Sequence, residues 1–329
     1  MGQARPTNEP SNYIGWGVQP AKDTEATTFF FVKHKDGSGT DIEEDVTSER
    51  EGGDGQEAGL AYKTMIKSDG AIVANARPET FGRLLAAVNG ADSVASHAVG
   101  ADHTSTPNAT QPYLTVDEFW ADEVERSPNS IVTQLDIEFE AGRPLKVTAQ
   151  LLSGGTPGMR DAASALVPTR ETSRPFFYPG ASVVASNMGG AKITKGKISV
   201  KRQVDDQIQT TSLAREDVVP MAYDVNVDLT CKYEDRDQSG YKNAHFGVGS
   251  QLPIDLATGS LSLFMAQGSF STRLVCPMLQ ITGHRVNKLD PEGKTMYGDV
   301  AAMTIKGATH SFFSVTRTST PTSYVVANV

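Results

Sequence analysis

The sequence predicts a mainly β protein with one or two short helices, laid out as two β-rich units in tandem, each with a long hairpin excursion. Three observations carry this. Several segments alternate apolar and polar residues with period two, the mark of a strand with one buried face. The 329 residues are 38% hydrophobic and 21% charged, with 30 glycines, enough apolar mass for a core that is broken by many turns. One order of features (strand, polar excursion, strand, helix, strands) runs from about Trp16 to Leu152 and again from about Pro175 to Val329.

Residues 1–15 are rich in Pro, Asn and Gly and read as an extended arm. Thr27–His34, with three consecutive Phe, reads as a strand. From Lys35 to Gly59 the chain is acidic and Gly-rich, with Ile42 and Val46 as its only large apolar residues, so this excursion lacks the apolar surface to fold alone. Leu60–Lys67 returns as a strand and closes a hairpin with a long tip. Arg77–Asn89 reads as a helix: Pro78 and Glu79 suit its first turn, Phe81, Leu84, Leu85 and Val88 share one face, and Gly90 stops it. Ser93–Pro112 is small, polar and loop-like. Leu135–Glu140 and Leu145–Leu151 alternate around the turn Ala141–Pro144 and form a hairpin.

The first unit is assigned residues 16–155, and Gly-, Pro- and Ser-rich residues 156–174 form a linker to a second unit, 175–329. There Phe176–Val184 opens the unit and Ile193–Lys201 reads as a strand. Arg202–Val219 is a second polar excursion. Tyr223–Tyr233 alternates almost without a fault. A short helix is possible near Tyr241–Gly247, and Leu261–Met265, Arg273–Thr282, Thr295–Lys306 and Phe312–Arg317 read as strands.

The net charge is −9, which keeps copies soluble and disfavours binding to phosphate backbones, though not passage of nucleic acid beside the protein. Two cysteines, Cys231 and Cys276, cannot build a disulfide framework or a four-ligand zinc site by themselves. The amino terminus lacks a signal-peptide core, and no stretch approaches the roughly 20 apolar residues of a membrane helix.

A search for chemistry is unproductive. Ala191–Ile198 contains Gly-Lys but lacks the first glycine and the final hydroxyl of a phosphate loop. Gly52, Gly53, Gly55 and Gly59 are not followed by a helix, as a dinucleotide loop would be. Asp41, Glu43, Glu44 and Asp45 lack the ligand order of a calcium loop. The six histidines show no i, i+4 pair, and there is no Gly-x-Ser-x-Gly elbow. Catalytic, cofactor and metal residues are therefore expected to be none. Asp136, Glu138 and Glu140 read as the wet side of a strand.

The segments ARPTNEPSNYIGWGVQPAKDTEATTFFFVKH, EREGGDGQEAG, ANARPETFGRLLAAV and EAGRPLKVTAQLLSGGTP resemble the major tail tube proteins of long-tailed, non-contractile bacteriophages, most closely the two-domain type. The resemblance implies two tandem β-sandwich or barrel domains, each flanked by a helix and extended by a long hairpin loop. It implies three copies in a pseudo-sixfold ring and stacked rings forming a hollow virion tube for DNA delivery. The implied partners are other copies of the chain, the tape-measure protein, the tail terminator and distal tail proteins, and double-stranded DNA in transit without specific binding, with assembly in the host cytoplasm and no membrane. The candidate ring-stacking residues are Asp41, Glu43, Glu44, Asp45, Glu49, Arg50, Glu51 and Asp54 in the first excursion. In the second they are Arg202, Asp205, Asp206, Arg215, Glu216 and Asp217. The sign of the charge makes Asp136, Glu138, Glu140, Asp224 and Asp228 candidates for an acidic bore that repels phosphate.

Two other readings stay open on residues alone. One is a different virion β-module, such as a baseplate or receptor-binding protein. The other is a carbohydrate-active enzyme on a β-sandwich, in which Asp136 or Glu138 would be needed for hydrolysis.

Overall fold

A computed structural model describes residues 12–48, 61–120, 123–161, 171–177, 181–185, 192–208, 215–233, 258–287, 296–305 and 310–325. The first half holds β1 (Asn12–Val18), β2 (Phe30–Val32), β3 (Gly39–Ser48), β4 (Ala61–Asn75), helix α1 (Pro78–Asn89), β5 (Gly90–Ser96), β6 (Ala101–Pro107), β7 (Leu114–Trp120), β8 (Glu123–Glu140), β9 (Lys146–Ser153) and β10 (Gly158–Asp161). The second holds β11 (Ala181–Ala185), β12 (Lys192–Ile208), β13 (Arg215–Tyr233), β14 (Thr258–Gln267), β15 (Phe270–Asn287), β16 (Met296–Thr304) and β17 (Phe313–Thr318). The protein is thus mainly β, as expected, and its strands join through antiparallel pairings into one connected system.

Two strands of 18 residues organise it. The N-terminal part of β8 lies between β7 and β10, and its C-terminal part lies against β9. In the same way, the N-terminal part of β15 lies between β14 and β17, and its C-terminal part lies against β16. The likeness extends further. β9 continues to β4 and β3, and β7 to β1; β16 continues to β13 and β12, and β14 to β11. Six pairings of the first half therefore recur, in chain order, in the second.

The halves are also fused. Residues 134–140 of β8 pair with 195–201 of β12, so one sheet runs β3-β4-β9-β8-β12-β13-β16-β15 across both. At this seam β12 passes so close to β8 that a Cβ on Gly196 would come within 2.5 Å of the Phe139 ring. β17 crosses back to pair with β6. A single hydrophobic cluster draws on both halves, from Ile14 and Trp16 through Ile137 and Phe139 to Val227, Leu263 and Val300.

Helix α1 starts and ends where expected, with Pro in its first turn and Gly90 as its left-handed cap at φ 90°. A Cβ there would sit 2.0 Å from the Thr110 carbonyl oxygen, so glycine is required. The expectation of one buried face is too small. Every helical residue except Arg83 is buried, because the helix packs between elements of both halves. Arg83 lies 4.6 Å from the ring centroids of both Phe30 and Tyr324. The helix N-terminus is capped from afar: the Glu171 carboxylate accepts the backbone N–H groups of Glu79 and Thr80, at 3.0 and 2.9 Å.

The C-terminal segment clasps the same helix end. Glu79 accepts hydrogen bonds from the backbone N–H groups of Ser319 and Thr320 and from the Tyr324 hydroxyl. Beside it His103 reaches Asp92 Oδ2 through Nδ1 (2.9 Å) and the Thr320 carbonyl through Nε2 (2.8 Å), with the Tyr324 ring stacked on it at 4.0 Å. Asp92 and the carbonyl are both acceptors, so the geometry suits the imidazolium. Although burial opposes the charge, the Asp92 and Thr320 hydrogen bonds raise the His103 pKa above its ordinary value.

Three local expectations change. Ser93–Pro112 is not simply loop: β5 and β6 pair as a hairpin, and β6 gains a distant partner in β17 that no local pattern announces. The assigned linker contains β10 and, at Glu171, the carboxylate that caps α1. Both polar excursions contain strand among the described residues, because Gly39–Ser48 pairs with β4 and 203–208 continues the pairing of β12 with β13. Residues 1–11 and the helix considered near Tyr241–Gly247 lie outside the described residues.

Candidate assembly surfaces

The first surface is the polar side of the central sheet. β8 sends Leu135, Ile137 and Phe139 into the core and Asp136, Glu138 and Glu140 to the other side; β13 does the same with Val225 and Val227 against Asp224 and Asp228. The period-two reading therefore holds, but the acidic description does not. Between these strands lies β12, whose Lys195, Lys197 and Lys201 stand opposite Glu140, Glu138 and Gln134 on one side. On the other side they stand opposite Thr230, Asp228 and Asp224. Lys146 lies 3.6 Å from Glu138 and Arg143 lies 3.1 Å from Glu140. Asp136 is not wet either, at 8% exposure. Burial opposes its ionisation, but hydrogen bonds from Ser199, Lys197 and Gln134 hold its carboxyl below the usual carboxylate range. These lysines were legible as KITKGKISVK, where they alternate with the buried residues; what the sequence concealed was which strands they would join.

The face is hollowed by an open depression of about 820 Å³, lined from Lys35, Arg143 and Lys146 on one side to Arg285 and Asp299 on the other. Among the described residues no group of three or more His, Cys, Asp or Glu is placed to hold a metal, and no helix is long and apolar enough to cross a membrane.

The second surface comprises the two hairpins. In the first, Asp41, Glu43, Glu44 and Asp45 lie on β3 and are exposed. Lys67 pairs with Glu43 at 2.9 Å and Lys63 with Glu44. Its root is held where Glu118 accepts the Thr40 N–H at 2.7 Å. Glu49, Arg50, Glu51 and Asp54 lie outside the described residues.

The second hairpin is different, and three of its candidates are turned inward. Arg202 is 5% exposed. Its guanidinium donates to the carbonyls of Val88 (3.2 Å), Asn89 (2.7 Å) and Asn108 (2.6 Å), closing the C-terminus of α1, and packs 4.8 Å from the Tyr223 ring centroid. Arg215 is 4% exposed. It donates to Asp69 at 2.7 Å and to the Ser153 carbonyl at 3.0 Å. Asp217 is drawn into the same seam by Lys22 (2.8 Å) and the Tyr113 hydroxyl (2.9 Å). Burial opposes its charge, but these two donors hold its pKa below the usual range. These side chains bind the chain to itself rather than facing outward. Asp205 is exposed, and Asp206 and Glu216 belong to β12 and β13.

The third surface is the pair of edges that end the central sheet. Among the described residues, β3 pairs only with β4, and residues 281–287 of β15 pair only with β16. The matching stretch of β8, residues 134–140, is the one covered by β12. The sheet therefore ends on one open strand at each side, one from each half.

No curated protein matches the chain. A family model described as phage tail tube protein matches residues 13–284, which carries the match from β1 into β15. The chain belongs to the phage tail tube protein family, structural components of the virion that self-assemble into a tube.

Proposed function

We propose that this chain is a two-unit tail tube subunit of a long-tailed, non-contractile phage, with tail-tube-like units at 16–155 and 175–329. Three copies close into a pseudo-sixfold ring. The observation that carries this is the seam inside the chain: β12 of the second half lies on residues 134–140 of β8 in the first, while the equivalent edge of β15 and the outer edge of β3 stay open. A neighbouring copy that laid its β3 against 281–287 of β15 would repeat the internal seam between molecules. A head-to-tail contact of this kind closes into a ring if its rotation allows.

Rings then stack into a hollow tube. The first hairpin, with its tip at 49–60, reaches to the next ring, helped by the exposed residues Asp41, Glu43, Glu44, Asp45 and Asp205. The polar face of the central sheet lines the bore. The tape-measure protein fills the tube as it grows in the host cytoplasm, terminator and distal tail proteins close its ends, and double-stranded DNA passes through without specific binding during ejection. No catalytic step is required.

The test is electron microscopy with native mass measurement of the purified chain. Hollow filaments of uniform width, built on three copies per ring, are expected. A ring of six copies, or filaments without a bore, would overturn the reading.

A further inference from the structure

The polar face of the central sheet carries its charges in rows that run across the strands. One row reads Lys146, Glu138, Lys197, Asp228 from β9 to β13. The next reads Glu140, Lys195, Thr230, Asp299, Arg285 from β8 to β15, with Arg143 on Glu140 at its start. A third sets Asp136 beside Ser199 and Asn226, with Lys197 of the neighbouring row reaching over to it at 2.9 Å. The fourth sets Lys201 beside Asp224. Signs alternate along the first, second and fourth rows, and the four rows together contain six cations and six carboxylates, in a chain whose net charge is −9. The acidic excess therefore lies elsewhere on the molecule.

We infer that this face is a charge-compensated lining for a passing duplex DNA, built to exert neither net attraction nor net repulsion on it. The inference rests on the reading that the face lines the bore. Neighbouring strands stand about 4.8 Å apart, so opposite charges in a row alternate well inside the roughly 8 Å screening length of physiological salt. Their fields cancel before reaching a duplex separated from the wall by water. A basic lining would hold DNA by releasing its counterions, with affinity falling steeply as salt rises. An acidic lining would oppose entry. A balanced one avoids both, and cross-strand pairing between β8, β12 and β13 supplies the balance within each chain, so every ring repeats it.

The test uses assembled tubes and a short fluorescent DNA duplex, measuring co-sedimentation at 50 and 200 mM salt. Wild-type tubes are expected to retain no duplex at either salt. Tubes of Asp224→Asn/Asp228→Asn, which changes two exposed side chains on β13, are expected to retain duplex at 50 mM with at least a hundredfold gain in affinity, lost at 200 mM. Glu138→Gln/Glu140→Gln on β8 should do the same, and serves if the first variant fails to assemble. Wild-type tubes that hold DNA with a steep salt dependence would overturn the inference, as would charge-shifted tubes that hold none. Asn226→Cys locates the face independently. It should react in tubes with a small maleimide and not with one carried on a large polymer. Native Cys231 and Cys276 are buried and pushed up to about 12 by that burial, so they stay silent. Labelling by the large reagent would overturn the bore assignment itself; a protected Asn226→Cys with DNA-indifferent charge variants would overturn only the compensation.

Discussion

β12 and β13 carry their hairpin onto the first half, where Arg202 closes the end of α1 and Arg215 and Asp217 pair with Asp69, Lys22 and Tyr113. β3 and β4 occupy the matching place in the first half, yet their charged pairs, Glu43 with Lys67 and Glu44 with Lys63, lie within the hairpin and at the surface. One hairpin is thus spent on joining the two halves of a single molecule. The other keeps the same backbone scheme, and among the described residues its outer strand β3 pairs only with β4. Duplicated pairing with diverged side chains separates a hairpin braced against the other half from one whose charged pairs stay within itself.

The comparison is broken most directly at the first hairpin's tip. Replacing residues 49–60 by Asn-Gly joins Ser48 to Ala61, which already face each other, by a two-residue turn. The variant is expected to fold and remain soluble but yield no stacked tubes by electron microscopy; normal tubes would return the stacking role to other surfaces. Removing Thr40–Gln56 is a poorer experiment, because it takes out β3 itself.

The permanent joint should respond in stability. Arg202→Ala removes the guanidinium that ties β12 to the carbonyls of Val88, Asn89 and Asn108, and Arg215→Ala leaves Asp69 without its buried partner. Each is expected to cost about 3 kcal/mol in urea unfolding. A loss under 1 kcal/mol in both would mean that the halves hold together without them.

A pH effect comes next. The His103 clasp also ties the end of the second half to the first. Because its pKa is raised above the ordinary 6.5, its stabilisation is complete below that value and is lost as pH rises through the higher folded value. His103→Gln should therefore lower the unfolding midpoint more at pH 5.5 than at pH 9. An equal loss at both would show that the histidine is held neutral.

The smallest effect belongs to the first hairpin's surface pairs. Lys63→Gln should change unfolding by no more than about 0.5 kcal/mol, since an exposed ion pair gains little over its solvated parts. A larger loss would mean that this hairpin, too, is braced by its charges.

Much of the local structure was readable in the chain, and the reason is periodicity. Leu135–Glu140, Leu145–Leu151 and Tyr223–Tyr233 alternate because one face of each is buried, and that requirement is written residue by residue. Helix α1 announces itself through Pro78, its apolar spacing and Gly90. The β5–β6 hairpin did not, because its short polar residues earn their place only through a strand about two hundred positions away. The buried arginines were hidden for a similar reason. A polar residue in a polar stretch looks solvated until the fold brings it three acceptors.

By itself, then, the order of residues determined the alternating strands, where the helix begins and ends, which side of those strands meets the core, and that one scheme is used twice. Those are properties of a residue and its near neighbours. The tertiary structure alone decided that β12 covers β8, that its lysines stand among the carboxylates of that face, that Arg202 and Arg215 are buried joints between the halves, and which edges among the described residues stay open. Strand pairing is set by the free energy of the whole packed system, and alternation along a strand records that it has a partner without recording which one.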